Sequence, residues 1–369
     1  MNSDPKSLNI LLLEPFYGGS HKQWADGLVK HSRNKIHISS LPDRHWKWRM
    51  HGSALTFAER HKEDIKEYDL VLVTDLCDVA ALRGLLKIEV PVILYFHENQ
   101  LAYPWSPTDE DVQLKRDRHY IWINFTSAMA ADYCWFNSAY NKDSFLIGLP
   151  KFLKAFPDQN RFDLNLIEEK SMVMPLGLEL PLLRENIELK ELNNPPVILW
   201  NHRWEYDKNP ELFFNILFRL KDEGVEFKTV VLGEKSTKYP QIFDEAKLKL
   251  ADRIIHFGYV ESKDKYHQLL KNCDIYPVTN RQDFFGISVM EAISAGVVPL
   301  LPSNMVYSEH FDPEEYSMIY YLEYEELYVK LKNMLIERPQ YHLLSEASKY
   351  QWDKMIKIYD DALINIVLS

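Results

Sequence analysis

Glycine and cysteine are both scarce in this chain of 369 residues, with 12 of the first and 3 of the second. Cys77, Cys134 and Cys273 lie far apart and form no C-x-x-C pair. That argues against a disulfide framework or a zinc knuckle and for a reduced, cytosolic protein. No apolar run reaches the ~18 residues of a membrane-spanning helix. The opening MNSDPKSLNI carries an acid and a proline and does not read as a signal peptide. Internal repeats and low-complexity tracts are missing too. Bases are outnumbered, 43 Lys and Arg against 54 Asp and Glu, for a net charge of −11. Such a balance excludes a generic nucleic-acid coat protein. With 46% hydrophobic and 26% charged residues, the chain has the composition of a globular protein, and its length suggests two domains.

The acidic average hides an asymmetry. Residues 30–62 hold eight Lys and Arg, two Asp and Glu and five His, with Trp46, Trp48 and Phe57 among them. One basic, aromatic-rich face is expected on an acidic molecule.

Short apolar strands alternate with helical segments, the pattern of a parallel sheet covered on both sides. Strands are predicted at 8–15, 36–42, 69–75, 91–98 and 132–138, and MVMPLGLEL closes the first half. After a charged, proline-punctuated stretch at 181–196 the pattern restarts, with strands at 196–203, 227–234, 253–260, 274–279 and 297–302. The last twenty residues read as an amphipathic helix. The expected fold is α/β: two Rossmann-like domains, 1–180 and 181–350, whose parallel sheets face each other across a cleft. Ligands of such sheets sit beyond the carboxyl ends of the strands. The scarce glycines fall there: Gly18, Gly19, Gly177, Gly233, Gly258, Gly286 and Gly296 lie at predicted strand ends or strand-to-helix turns.

Four stretches carry chemistry. In Asp283-Phe-Phe-Gly-Ile-Ser-Val-Met-Glu291, two acids bracket a glycine loop that opens a helix. Loop amides and a helix N-terminus suit phosphate or sugar oxygens, and Glu291 can take two ribose hydroxyls. A buried strand–loop–helix with a dipole-favoured acid would look the same. Arg203 and Lys208 follow a strand and suit a diphosphate, or else sit in a solvated turn neutralised by Glu205 and Asp207. Gly18-Gly19 permits close backbone approach, though tight turns use the same pair. His97-Glu98-Asn99-Gln100 ends a strand, where a polar run marks either a site or a satisfied structural histidine.

The second half resembles the nucleotide-sugar domain of glycosyltransferase family 4, a retaining group of GT-B fold. Its E-x₇-E hallmark is matched by Asp283 and Glu291, with Asp one methylene shorter than the usual Glu. The blocks EPFYGGSHKQW, LPDRHWKWRMHGSAL, YFHENQLAYP, WNHRWEYDKNPE and FFGISVMEA further resemble the tRNA-queuosine α-mannosyltransferases, from about residue 8 to 310. The resemblance implies transfer of mannose from GDP-mannose, with retention, to the cyclopentenediol of queuosine at the tRNA wobble position. No metal or cofactor is implied. Arg203 and Lys208 would hold the diphosphate, Glu291 the donor ribose and Asp283 the sugar hydroxyls. Gly233 and the amides of Phe285, Gly286 and Ile287 would assist. Gly18 and Gly19 would close on the phosphates, and His97 would line the sugar pocket. The C-terminal helix, 351–369, would pack back on the N-terminal domain, as in GT-B relatives.

The acceptor is expected on the N-terminal domain, against Arg44, Trp46, Lys47, Trp48, Arg49 and Asn99. Here Trp46 and Trp48 alternate with charges instead of forming an apolar helical face, which suits stacking on unpaired bases better than a membrane surface. A family 4 enzyme acting on a lipid or polysaccharide is the competing reading, and a merely solvated basic face is the plain alternative for this stretch. A third class, a non-catalytic tRNA-binding protein with a vestigial site, is disfavoured because Arg203, Lys208, Gly286 and Glu291 are all present.

Overall fold

Strands β1 (Asn9–Tyr17), β2 (Lys35–Pro42), β3 (Leu70–Thr74), β4 (Val92–Phe96), β5 (Tyr133–Phe136) and β6 (Ser171–Val173) form one sheet, in the order β2-β1-β3-β4-β5-β6. A second contains β7 (Val197–Asn201), β8 (Lys228–Leu232), β9 (Ile254–Gly258), β10 (Ile275–Pro277), β11 (Val298–Pro302) and β12 (Tyr320–Tyr321), in the order β12-β11-β10-β7-β8-β9. These are seen in a computed structural model that describes residues 7–106, 109–114, 116–157, 162–181, 192–235, 238–339 and 343–369. Much of the charged stretch read between the halves, 182–191, lies outside the described residues. The chain divides into two units, Met1–Glu179 with Tyr350–Ser369, and Leu180–Lys349.

Every named strand pair is parallel. In the first sheet Leu12 stands opposite Ile38 on one side and Leu72 on the other. All residues of β3 and β4 are buried. Helices cover both faces, so these strands read as continuous apolar runs instead of alternating ones. Strand order reverses direction beside β1 and β3 in the first sheet and beside β7 and β10 in the second. Those switch points are where a crevice opens at the carboxyl edge, and the candidate residues cluster there.

Between β2 and β3 the hydrophobic pattern predicts no element. Trp46–His61 is a helix, and its inner face holds Met50, Ala54, Phe57 and Ala58, with Gly52 and Ser53 beside them. Positions 50, 54, 57 and 58 are helically spaced, but most of the inward residues are small, and the large charged and aromatic residues beside them mask the period. The helix Tyr324–Glu337 was also not anticipated, although Leu327, Leu331, Met334 and Leu335 line its buried side.

The helix Trp352–Leu368 belongs to the first unit. Its Trp352 is buried against two glycines: a Cβ on Gly27 would lie 2.1 Å, and one on Gly177 2.3 Å, from indole atoms. Asp360 accepts hydrogen bonds from the Arg33 amide (3.0 Å), the Asn34 side chain (2.9 Å) and the Ser32 hydroxyl. Tyr359 accepts from Trp24 Nε1 at 3.0 Å and donates to the Pro175 carbonyl at 2.9 Å.

Candidate active site

In the second unit, β7 ends at Asn201 and the chain turns through His202, Arg203 and a short 3-10 turn, Tyr206–Lys208, into the helix Pro210–Asp222. Gly233, just after β8, is what lets this turn pass. Its φ is +122°, and a Cβ there would lie 1.8 Å from the His202 carbonyl oxygen. No side chain fits. Gly233 therefore shapes the cationic turn from behind.

Arg203 is half-exposed and lies 3.3 Å from Glu205. Lys208 is mostly buried, with Nζ 2.8 Å from Asp207 Oδ2. Burial pulls the Lys208 ammonium down, but Asp207 and Asp283 outweigh it and hold its pKa above the ordinary lysine value. His202 goes the other way. Burial, then the charges of Lys208 and Arg203, keep it neutral, and its Nε2 stands 2.6 Å from the Tyr276 hydroxyl. The structure thus brings Arg203, Lys208 and Asp283 into one electrostatic group.

Asp283 has a second task. One oxygen accepts from the amides of Gly286 (2.9 Å) and Phe285 (3.3 Å). The other accepts from the Tyr307 hydroxyl (3.0 Å) and the Asn280 side chain (3.1 Å). Its carboxylate ties the loop to itself, and the shorter aspartate side chain is the length that closes this turn. Two amides expected on a phosphate, those of Phe285 and Gly286, are bonded within the loop in this structure. Gly286 takes a φ of +86° and starts the helix Ile287–Ser294. Glu291, within that helix, accepts from Tyr266 at 2.7 Å, and Asn201 donates to the same hydroxyl at 2.8 Å. Burial raises the Glu291 pKa, opposed by Tyr266. Tyr266 and Tyr307 gave no sequence signal, since each lies outside the short motifs.

In the first unit, Gly18 and Gly19 lead from β1 into the helix Gly19–His31. Gly18 faces its own domain, because a Cβ there would lie 2.0 Å from Asp43. His97 follows β4 and is buried. Asn99 is fully buried; its amide donates to Asn141 Oδ1 (2.8 Å) and to Ser144 (3.0 Å), and its oxygen accepts from the Ala102 amide (2.9 Å). Asn99 thus staples its loop, and its side chain is engaged within the fold. Lys47 is likewise engaged within the fold. Its ammonium binds Asp109 (2.6 Å) and Asp111 (2.5 Å) and lies over the rings of Trp46, Trp105 and Tyr120. Trp46 packs in the same half-buried aromatic group. Arg49 donates to the Pro42 carbonyl at 3.2 Å. Arg44 and Trp48 remain exposed, and the Trp48 indole lies over Gly52, where a Cβ would come within 2.7 Å.

Glu14, His21 and His97 converge as well, their ligand-type atoms all within 4.8 Å. Sequence spacing gave no hint of this trio. By distance it could hold a metal ion. The two imidazoles, however, meet through their faces, with centroids 4.0 Å apart and planes at 36°, while ligating histidines converge by their ring edges. Among the described residues, no helix is long and apolar enough to cross a membrane.

Two parallel doubly wound sheets, a cationic turn after β7 and an acid-tied loop opening a helix define a glycosyltransferase of GT-B fold. HepE from Anabaena, solved with UDP, matches with a TM-score of 0.66 at 14% identity, covering 96% of this chain and 99% of that one. The lipopolysaccharide outer core galactosyltransferase WaaB matches with a TM-score of 0.60 at 13% identity, covering 97% and 99%. At these identities the likeness is one of fold. The profile of glycosyl transferases group 1 matches residues 184–350, and that of the tRNA-queuosine alpha-mannosyltransferase N-terminal region matches 9–178. A tRNA-queuosine alpha-mannosyltransferase from Drosophila melanogaster is 34% identical over 317 residues, covering 83% of this chain and 82% of that protein. The chain belongs to the tRNA-queuosine α-mannosyltransferase family.

Proposed function

We propose that this enzyme moves mannose from GDP-mannose to the cyclopentenediol of queuosine at the tRNA wobble position, with retention at the anomeric carbon. The observation that carries this reading is the match of the whole first unit's sheet region, residues 9–178, to the N-terminal profile of that family. Arg203 and Lys208 hold the diphosphate, and Glu291 holds the ribose. As the bond from the anomeric carbon to the phosphate oxygen breaks, negative charge grows on the diphosphate, where preorganised cations stabilise the transition state. The acceptor oxygen bonds the same face of the anomeric carbon, and its proton passes to the departing phosphate. No protein nucleophile takes part. Two cations in place serve the purpose Mg²⁺ serves in other phosphate chemistry, so the reaction needs no metal.

The test incubates the protein with radiolabelled GDP-mannose and total tRNA from cells with and without queuosine, with and without EDTA. Label in a single nucleoside, only from queuosine-containing tRNA and undiminished by EDTA, is the expected result. Label in lipid or polysaccharide, or in both tRNA pools, overturns the acceptor. A strict requirement for Mg²⁺ or Mn²⁺ overturns the metal-free step.

A further inference from the structure

Behind His97 lies a buried assembly that the proposed reaction leaves without a task. Glu14, on β1, is fully buried. Both its oxygens approach His21 Nδ1, at 3.2 and 3.3 Å, and one also accepts from the Phe16 amide at 2.9 Å. His21, in the first turn of Gly19–His31, is itself buried. Its ring lies against that of His97 at 4.0 Å between centroids.

His97 is held from every side. Tyr95 stands 4.9 Å and Trp24 4.8 Å away between centroids, both edge-on. Its amide donates to Asp75 Oδ1 at 2.8 Å, and its carbonyl accepts from Asn137 at 2.8 Å. Tyr359, from the C-terminal helix, backs the wall through Trp24 and Tyr95. Yet, among the described residues, His97 Nε2 is buried with no hydrogen-bond partner. A buried ring nitrogen left unsatisfied is a polar group that a ligand hydroxyl would satisfy.

The charge around it is arranged to the same end. Burial would strip the proton from His21, but Glu14, with Asp75 and Glu98 further off, outweighs burial and pushes its pKa up to about 9. Burial, and then His21, drive the His97 pKa well below the ordinary value. Asp75, at the end of β3, is pushed up by burial. The titratable groups facing the pair are thus Glu14 from β1, Asp75 from β3, Glu98 and Tyr95 from the β4 side, and Tyr359 from the last helix. An imidazolium cannot share a close, buried contact with a second one at low cost. A neutral imidazole, unlike a charged one, can accept as well as donate a hydrogen bond.

We propose that Glu14 and His21 are positioning residues for His97: the buried Glu14 carboxylate fixes the His21 ring, which packs against the His97 ring and holds its Nε2 in place for a substrate hydroxyl. This rests on the reading that His97 lines the sugar pocket. Losing a supporting partner of a working histidine typically costs ~10–100-fold in activity.

The test uses Glu14→Gln, His21→Gln, His97→Ala and the double variant His21→Gln/His97→Ala, in the full chain. His21→Gln is expected to lower kcat by ~10–100-fold with little change in KM for GDP-mannose. In the His97→Ala background the same change should cost nothing more. Imidazole NMR of wild-type protein should show His21 titrating near pH 9, with His97 silent between pH 6 and about 9. The near-isosteric Glu14→Gln should move the His21 midpoint down towards or below ~6.5 and take the alkaline limb of kcat with it. Single losses that multiply in the double variant, or an alkaline limb unmoved in Glu14→Gln, overturn the proposal. If His21→Gln does not fold, Glu14→Gln decides. If no mannose reaches queuosine tRNA, the acceptor reading fails separately, and the NMR still decides: a His97 that titrates at an ordinary ~6.5 in wild type overturns the couple.

Discussion

The two units carry their charge in opposite ways. In the second, the cations that follow β7 sit on one short turn, Arg203 half-exposed and Lys208 shielded beside Asp207. In the first, the charges at the strand ends are interior: Glu14 and Asp75 are fully buried, and His21 and His97 nearly so. A half-exposed cationic turn suits an anion that arrives with its own charge and leaves with more. Buried imidazoles and acids suit a ligand of neutral hydroxyls, which needs orientation more than neutralisation. For the proposed reaction, this difference puts the nucleotide diphosphate with the second unit and the hydroxyl chemistry with the first.

The sharpest way to break this division is to unsettle one unit alone. Trp352→Ala empties the slot between Gly27 and Gly177 in the first unit and should cost ~3–5 kcal/mol. Denaturant unfolding would show it, while GDP binding by the second unit is retained in whatever fraction stays folded; loss confined to the second unit's transition would contradict the packing. Next in size, Arg203→Ala and Lys208→Ala should each lower kcat by ~10²–10³ without lowering affinity for tRNA. Near-normal turnover in either variant refutes the diphosphate role.

A smaller effect separates exposed from internal aromatics within the basic stretch. Trp48→Ala should weaken tRNA binding by ~1–3 kcal/mol, the worth of one stacked base, and leave GDP-mannose affinity unchanged in titrations of the same sample. Unchanged tRNA binding would make this face a solvated surface. Smallest of all, Lys47→Gln should barely alter tRNA affinity, because that ammonium already serves Asp109 and Asp111. Its effect should appear as faster hydrogen exchange around Asp109–Leu114. A steep loss of tRNA binding would instead return Lys47 to the acceptor face.

Much of the candidate site in the second unit is legible in the chain. Asp283, Glu291, Arg203 and Lys208 stand in two short blocks at strand ends, and the turn geometry follows from residues a few positions apart. Less legible was what each side chain does there: Asp283 bonds the amides of its own loop, a fact set by a turn no spacing rule records. On the first unit the residue types point to a basic face, but not to the partners the side chains find within the fold. Lys47 looked like a phosphate contact because its neighbours in sequence are cationic and aromatic. Its actual partners, Asp109 and Asp111, lie 62 and 64 positions away.

The sequence by itself determined the alternation of strand and helix, the division into two sheets and the placing of a cationic turn beside an acid-bounded loop. Those depend on hydrophobic period and on residues close along the chain. Only the tertiary structure decided that Glu14, His21 and His97 form one buried assembly, that Asn99 is a staple, and that Trp352 closes the first unit. Burial and ion pairing depend on which distant segments the sheets bring together. The pKa of an imidazole is set by those neighbours in space, whatever their place in the chain.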